Sequence, residues 1–302
     1  MPIKIQKDLP ARERLERENI FVMDEDRAIH QDIRALKIVI LNLMPEKEET
    51  ELQILRCLSN SPLQVDVFFL KVSSHESRNT SRNHLNKFYL SLEEIQNKRF
   101  DGMIITGAPV EMLPYTDVDY WEELTWIMDW SDYHVTSVMY QCWAAQAAMY
   151  YYYGLNKVLL PEKIFGIFRH RVNHRKVPLV RGFDDEFSAP HSRHADVPIE
   201  QIKACEDLVV LAESDTAGVL LALSKDGRRI FVQGHPEYDR LTLDKEYRRD
   251  LAKGMDIKLP VNYYPDDDPE KTPLLLWRSE SVHLYMNWLN YYVYQTTPYD
   301  IG

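Results

Sequence analysis

Three side chains in this sequence have the types and settings for covalent chemistry: Cys142, His235 and Glu237. Cys142 follows the β-branched and apolar run Thr136-Ser137-Val138-Met139-Tyr140 and precedes Trp143-Ala144-Ala145-Gln146-Ala147-Ala148, a stretch rich in the best helix former. The thiol therefore sits on a strand-to-helix corner. Such a corner presents a nucleophile above the carboxyl edge of a sheet, and the N–H groups opening the helix stabilise a thiolate or an oxyanion. The usual form is Gly-x-nucleophile-x-Gly; here Tyr140 and Ala144 hold the glycine positions. Ala144 is nearly as small as glycine, but Tyr140 is a departure, and an isolated cysteine reads equally well as a small buried hydrophobe.

His235 and Glu237 flank Pro236 at the end of a strand, within Gln233-Gly234-His235-Pro236-Glu237-Tyr238. Both side chains can point the same way, which suits a base and its orienter: His235 takes the proton of Cys142 while Glu237 fixes the imidazole tautomer. Alone, a His-Pro-Glu run is better explained as a capped turn with a solvated glutamate. The corner cysteine, together with Gly107-Ala108 after another strand where a second oxyanion donor is needed, favours a catalytic set.

The elements that must position these groups alternate between strand and helix. Apolar runs at Leu36–Leu43, Val65–Leu70 and Met103–Thr106 read as strands, as does the one before Cys142. Helical spacing covers Glu48–Leu58, with Cys57 as packing, and a segment from Asp117, taken as an N-cap, through Tyr120, Leu124, Ile127 and Met128. This rhythm predicts an α/β fold with a doubly wound, mostly parallel sheet, helices on both faces and ligands beyond the carboxyl ends of the strands. Ser73–Asn86 reads as a polar loop. After Gly154 come short β-like pieces at Ile164–Phe168 and Val177–Val180, the basic run Arg169–Lys176, a loop at Phe187–Val197 and a hairpin around Asp226-Gly227. Charged and amphipathic helices follow at Thr242–Lys253 and Ser279–Gln295. No repeat or linker divides the chain, so one domain over residues 1–302 is expected, with an N-terminal arm to about residue 35 and a C-terminal helical extension.

The 302 residues carry a net charge of -11 and 45% hydrophobic residues, which argues against a nucleic-acid or anionic-membrane binder. Three cysteines with no Cys-x-x-Cys pair suggest neither disulfides nor zinc, and fit a reducing cytoplasm. No signal peptide or membrane span is expected, and no metal-ligand spacing stands out; His170 and His174 lie four apart in a β-like region where that spacing does not align them.

The corner cysteine and the C-terminal Gly-His-Pro-Glu resemble the class I glutamine amidotransferase fold. The fuller set resembles the homoserine O-acyltransferases built on it: Met1-Pro2-Ile3-Lys4-Ile5, Ile40-Leu41-Asn42-Leu43-Met44-Pro45, Thr106-Gly107-Ala108-Pro109-Val110-Glu111, Tyr140-Gln141-Cys142-Trp143-Ala144, Phe165-Gly166-Ile167-Phe168, His191-Ser192-Arg193 and Gln233–Tyr238. Tyr140 and Ala144 are what this branch shows, which favours acyltransferase over glutaminase. The resemblance implies acyl transfer from acyl-CoA to the hydroxyl of L-homoserine, the first committed step toward methionine, with no permanently bound cofactor. It implies Lys163, Ser192 and Arg249 as substrate-binding residues, with Arg193 a weaker candidate for a carboxylate clamp. The backbone N–H groups of Trp143 and of Gly107 or Ala108 would hold the oxyanion. Glu111 stands where a carboxylate marks acetyl users and glycine marks succinyl users, so acetyl-CoA is the expected co-substrate. Candidates for the CoA phosphates are Lys47 and the Arg169–Lys176 run, which a solvated basic face explains as well. Succinyl transfer, a glutaminase and a non-catalytic amino-acid sensor are the alternatives. Tyr291-Tyr292-Val293-Tyr294 reads either as core or as the interface of a homodimer.

Overall fold

Apart from the exposed Lys37, Leu36–Leu41 alternates between two cores, as a strand covered on both faces does. Ile38 and Ile40 face one core with Leu55 and Trp288, while Val39 and Leu41 face the other with Leu124 and Trp143. This is a computed structural model; it describes residues 3–6, 8–18, 20, 22–23, 34–75 and 79–298. Among the described residues there is one sheet of twelve strands. They are β1 (Ile3–Lys4), β2 (Val22–Met23), β3 (Leu36–Leu41), β4 (Val65–Leu70), β5 (Tyr89–Leu90), β6 (Phe100–Ile105), β7 (Val135–Gln141), β8 (Val158–Val172), β9 (Glu186–Asp196), β10 (Leu208–Ser214), β11 (Gly218–Ser224) and β12 (Arg229–Val232).

The spatial order is β2-β1-β4-β3-β6-β7-β12-β11-β10-β8-β9, with β5 paired to β4. Every pairing from β2 to β12 is parallel, and the pairings from β12 to β9 are antiparallel. The expected doubly wound, mostly parallel α/β sheet is therefore present, with an antiparallel flank. The helix Arg278–Asn287, continued as a π-helix over Trp288–Tyr294, covers one face beside the helix Lys47–Leu58. Gly102 makes this possible: a Cβ there would lie 2.9 Å from the Trp288 ring, whose Nε1 donates to Ser137 Oγ at 3.0 Å.

Several local expectations are corrected. Phe187–Val197 is not a loop; Glu186–Asp196 forms β9, paired along much of β8, which is a single strand rather than a short piece. Val177–Val180 is not a strand, since Pro178 opens a 3-10 turn over Pro178–Val180. Asp117 ends a 3-10 turn, and the helix begins four residues later at Trp121–His134 with Tyr120 as N-cap. Within the polar Ser73–Asn86 stretch, Ser81 accepts from the His84 N–H and starts a helix at Arg82–Phe88. Of the N-terminal arm, residues 1, 2, 7, 19, 21 and 24–33 lie outside the described residues, the opening Met1-Pro2 included, as do residues 76–78 of the polar stretch. The described part joins the sheet: β1 pairs with β4, and Leu15 of the helix Ala11–Arg17 is buried in the core.

Candidate active site

β7 ends between β6 and β12, and the helix Trp143–Tyr153 starts one residue later, so Cys142 must turn the chain sharply. Its backbone takes φ 48° and ψ −119°, a region L-residues rarely occupy and one where strain marks function. The Cys142 N–H donates to Val232 O at 2.7 Å, tying the corner to the end of β12. The first N–H groups of the following helix have no partner within it, which leaves the Trp143 N–H available to an oxyanion. Beyond β6, Gly107 lies against the thiol: a Cβ there would sit 3.0 Å from Cys142 Cβ and 3.6 Å from Sγ. Gly107→Ala is thus expected to push the thiol out of line and lower kcat roughly tenfold to a hundredfold with little change in fold. Steady-state kinetics beside a circular-dichroism melt checks this, and unchanged kcat would remove Gly107 from the site.

His235 comes off the end of β12, the parallel neighbour of β7. Its N–H donates to Pro190 O at 2.9 Å, and Gly234 permits that approach, since a Cβ there would lie 2.8 Å from the same oxygen. His235 Nδ1–H donates to Glu237 Oε1 at 2.7 Å, and both residues are buried, at 3% and 4% exposure. Burial alone would pull the His235 pKa down, but the charges of Cys142 and Glu237, with their hydrogen bonds to the ring, raise it well above the usual histidine range. The imidazolium is therefore the favoured form beside the thiol. Tyr238 stacks on the imidazole at 4.1 Å and 15°, and Trp277 Nε1 holds the Tyr238 carbonyl at 3.0 Å.

A pocket of about 300 Å³ opens above Cys142 and His235. Lys163 from β8, Ser192 from β9, and Glu246, Arg249 and Asp250 from the helix Thr242–Ala252 line one side. Ser192 Oγ donates to Glu246 Oε2 at 2.5 Å, while Lys163 Nζ lies 3.5 Å from Glu246 Oε2 and 3.9 Å from Asp250 Oδ2. Arg249 binds both oxygens of Asp250, through Nε at 2.7 Å and Nη2 at 3.0 Å. Arg193 is corrected as a clamp candidate. β9 alternates, so Ser192 and His194 line the pocket while Arg193 points to the opposite face; there it is 1% exposed and bonded to His191 Nδ1, Asp196 Oδ1 and Ala217 O. Glu111 is half-buried in the opposite stretch of lining that also carries Gly107, Ala108 and Met112; Lys157 Nζ fixes that loop by donating to Glu111 O at 2.7 Å and Leu113 O at 2.6 Å.

A family model described as homoserine O-succinyltransferase matches residues 2–299. The chain belongs to this family of homoserine O-acyltransferases. A homoserine O-acetyltransferase of Lachnospira eligens is 62% identical over 302 residues, spanning 100% of this chain and 97% of that protein. One from Geobacillus kaustophilus is 60% identical over 300 residues, 99% of each chain. Among solved structures, a glutamine amidotransferase of Thermotoga maritima superposes with a TM-score of 0.53 at 12% identity, covering 86% of this chain and 99% of that one. A second, from Methylobacillus flagellatus, gives 0.52 at 13% identity over 86% and 95%. At such identities the likeness concerns the fold alone, and the fold is the glutamine amidotransferase-like one that the motifs imply. The chain is an acyltransferase, and its chemistry requires an acyl-donor co-substrate.

In this acyltransferase the candidate phosphate ligands are otherwise engaged. Lys47 is buried, with Nζ donating to Asn42 O and Met44 O, and burial pushes its pKa down to about 8. Met44, whose carbonyl it holds, lines the pocket together with Pro45. In the basic run, Arg169 pairs with Glu186, Arg171 with Glu213 and Asp215, and Arg175 with Asp185, so acidic neighbours offset the run. Among the pocket residues to which sequence reasoning gave no role are His194, Tyr238, Glu246 and Asp250. The available signal was Glu246, Arg249 and Asp250 at i, i+3 and i+4, one helical face.

Proposed function

We propose that this chain transfers the acetyl group of acetyl-CoA to the hydroxyl of L-homoserine, giving O-acetyl-L-homoserine for methionine biosynthesis. The observation that carries the reading is the meeting of Cys142 and His235 at one pocket, with Glu237 hydrogen-bonded to the imidazole, in a chain 62% identical along its length to a protein named homoserine O-acetyltransferase. The Cys142 thiolate attacks the thioester carbonyl, and the oxyanion lies against the N–H groups of Trp143 and of Gly107 or Ala108. The C–S bond to CoA breaks, and His235 gives its proton to the departing thiolate. Homoserine then enters; neutral His235 takes the hydroxyl proton as the oxygen attacks the acyl-enzyme, and Cys142 leaves as thiolate. Glu237 holds the Nδ1–H throughout. Arg249 keeps N–H groups beyond the two given to Asp250, and with Lys163 and Ser192 it serves the acceptor. A cytoplasmic setting fits the unpaired Cys57, Cys142 and Cys205. Residues 1–302 act as one domain in this reading, because the sheet carrying Cys142 beyond β7 also carries Ser192 on β9.

Glu111 decides the donor. A succinyl group ends in a carboxylate, and two like charges about 4 Å apart repel by about 4 kcal/mol at an effective dielectric of 20, much of it screened by water at this half-open wall. An acetyl group ends in a methyl and meets no such conflict. Glu111→Gly is expected to raise the succinyl-to-acetyl ratio of kcat/KM by about tenfold to a hundredfold. The test supplies acetyl-CoA, succinyl-CoA and glutamine in turn and identifies the products. Wild-type preference for succinyl-CoA would overturn the donor assignment, and ammonia release from glutamine would overturn the reaction.

A further inference from the structure

We infer that the end of the helix Thr242–Ala252 receives the CoA part of the donor, with Lys253 pairing to its phosphates and Met255 packing along its pantetheine arm. The inference rests on the proposed reading, in which the donor is an acyl-CoA. Cys142 is buried beneath the pocket, so an acyl group reaches the thiol only while the rest of CoA stays threaded through the pocket mouth. The far end of that arm carries phosphates, which gain most from a cation that no carboxylate has already neutralised.

The basic groups that the sequence offered for those phosphates are engaged elsewhere, which leaves the cations of the pocket itself. Three lysine or arginine side chains line it: Lys163, Arg249 and Lys253. Arg249 gives two N–H groups to Asp250, and Lys163 is shared between Glu246 and Asp250 and lies over the Phe165 ring at 4.1 Å. Lys253 is exposed and, among the described residues, makes no ion pair. Its place is set by the way the helix ends. Gly254, at φ 72°, donates its N–H to Leu251 O at 2.9 Å, and the Met255 N–H donates to Asp250 O at 3.1 Å, the paired bonds with which a left-handed glycine closes a helix. This turn sets Lys253 at the cap and brings Met255 back to the pocket lining, where it stays 47% exposed. Met112, 59% exposed, lines the pocket beside Glu111. Unbranched thioether side chains adapt to an irregular, partly polar arm such as pantetheine. A lysine at the end of a helix also suits the helix dipole, but the dipole explains neither its place in the pocket lining nor the exposed methionines that share it.

The test compares acylation of the protein by acetyl-CoA with acylation by S-acetylpantetheine, which carries the same thioester and arm without a phosphate. Wild type should be acylated faster by acetyl-CoA. In Lys253→Ala the second-order rate of acylation by acetyl-CoA should fall roughly threefold to thirtyfold, further in Lys253→Glu and less in Lys253→Arg, while the rate with S-acetylpantetheine and the discharge of the acyl-enzyme by homoserine hold. Met255→Ser should slow both donors by the same factor, because both carry the arm. Equal losses with the two donors in Lys253→Ala would reduce the lysine to a prop for the helix end, and slower discharge by homoserine would place it on the acceptor side. Either result, or an unchanged rate with acetyl-CoA, would overturn the inference while leaving the proposed reaction standing. A wild-type protein that acetyl-CoA does not acylate would instead end the proposed reaction, and this inference with it.

Discussion

Cys142→Ala should lower kcat by roughly 10⁵-fold or more, the size of loss seen when an enzyme is deprived of its covalent nucleophile. No second thiol can substitute, since Cys57 is fully buried with its pKa pushed up to about 12 by burial, and Cys205 does not line the pocket. Cys142→Ser should lose almost as much, because a hydroxyl is far harder to ionise than a thiol beside an imidazolium. In the wild type, initial rates against both substrates should follow a ping-pong pattern. A Cys142→Ala protein within about tenfold of wild type would show that the acyl group passes directly between substrates.

The next largest effect belongs to the base and its partner. His235→Asn removes the proton carrier of both half-reactions and should lower kcat by roughly 10³- to 10⁴-fold. Glu237→Gln should do similar or smaller damage, since an amide can still hydrogen-bond Nδ1 but carries no charge to stabilise the imidazolium. pH dependence separates the roles. The pKa of His235 is raised, so the imidazolium beside Cys142 persists above the usual histidine range and is lost as pH rises through the raised value. The acylation rate should therefore hold through neutral pH and fall on the alkaline side. Glu237 is one of the charges that raise His235, so Glu237→Gln should move that alkaline limb to lower pH. Stopped-flow acylation across pH checks this; a limb that stays put in Glu237→Gln would detach the glutamate from the imidazole.

The strand-to-helix corner at Cys142 was readable from sequence because its signal is local: an apolar run that stops, one cysteine, then alanines. His235-Pro236-Glu237 was readable for the same reason. Arg193 was misplaced because β9 buries polar side chains. His191 and Arg193 fill the inward positions and bond to one another and to His170, so the strand shows no apolar alternation, and Pro190 adds a loop-like signature. Lys47 was read as a candidate for the CoA phosphates, since nothing nearby in sequence announces that the carbonyls of Asn42 and Met44 will accept from it. Glu246 was hidden in a highly charged helix that reads as solvated; its partners, Lys163 and Ser192, lie 83 and 54 residues away. The two-residue strands of the N-terminal arm are too short to carry a period.

The most direct measurement is the intact mass of the protein after exposure to acetyl-CoA without homoserine, followed by peptide mapping. The expected result is a gain of one acetyl group on the peptide containing Cys142, absent in Cys142→Ala and removed when homoserine is added with formation of O-acetylhomoserine. Turnover of acetyl-CoA and homoserine with no adduct at Cys142, or an adduct that homoserine leaves untouched, would contradict the thioester route.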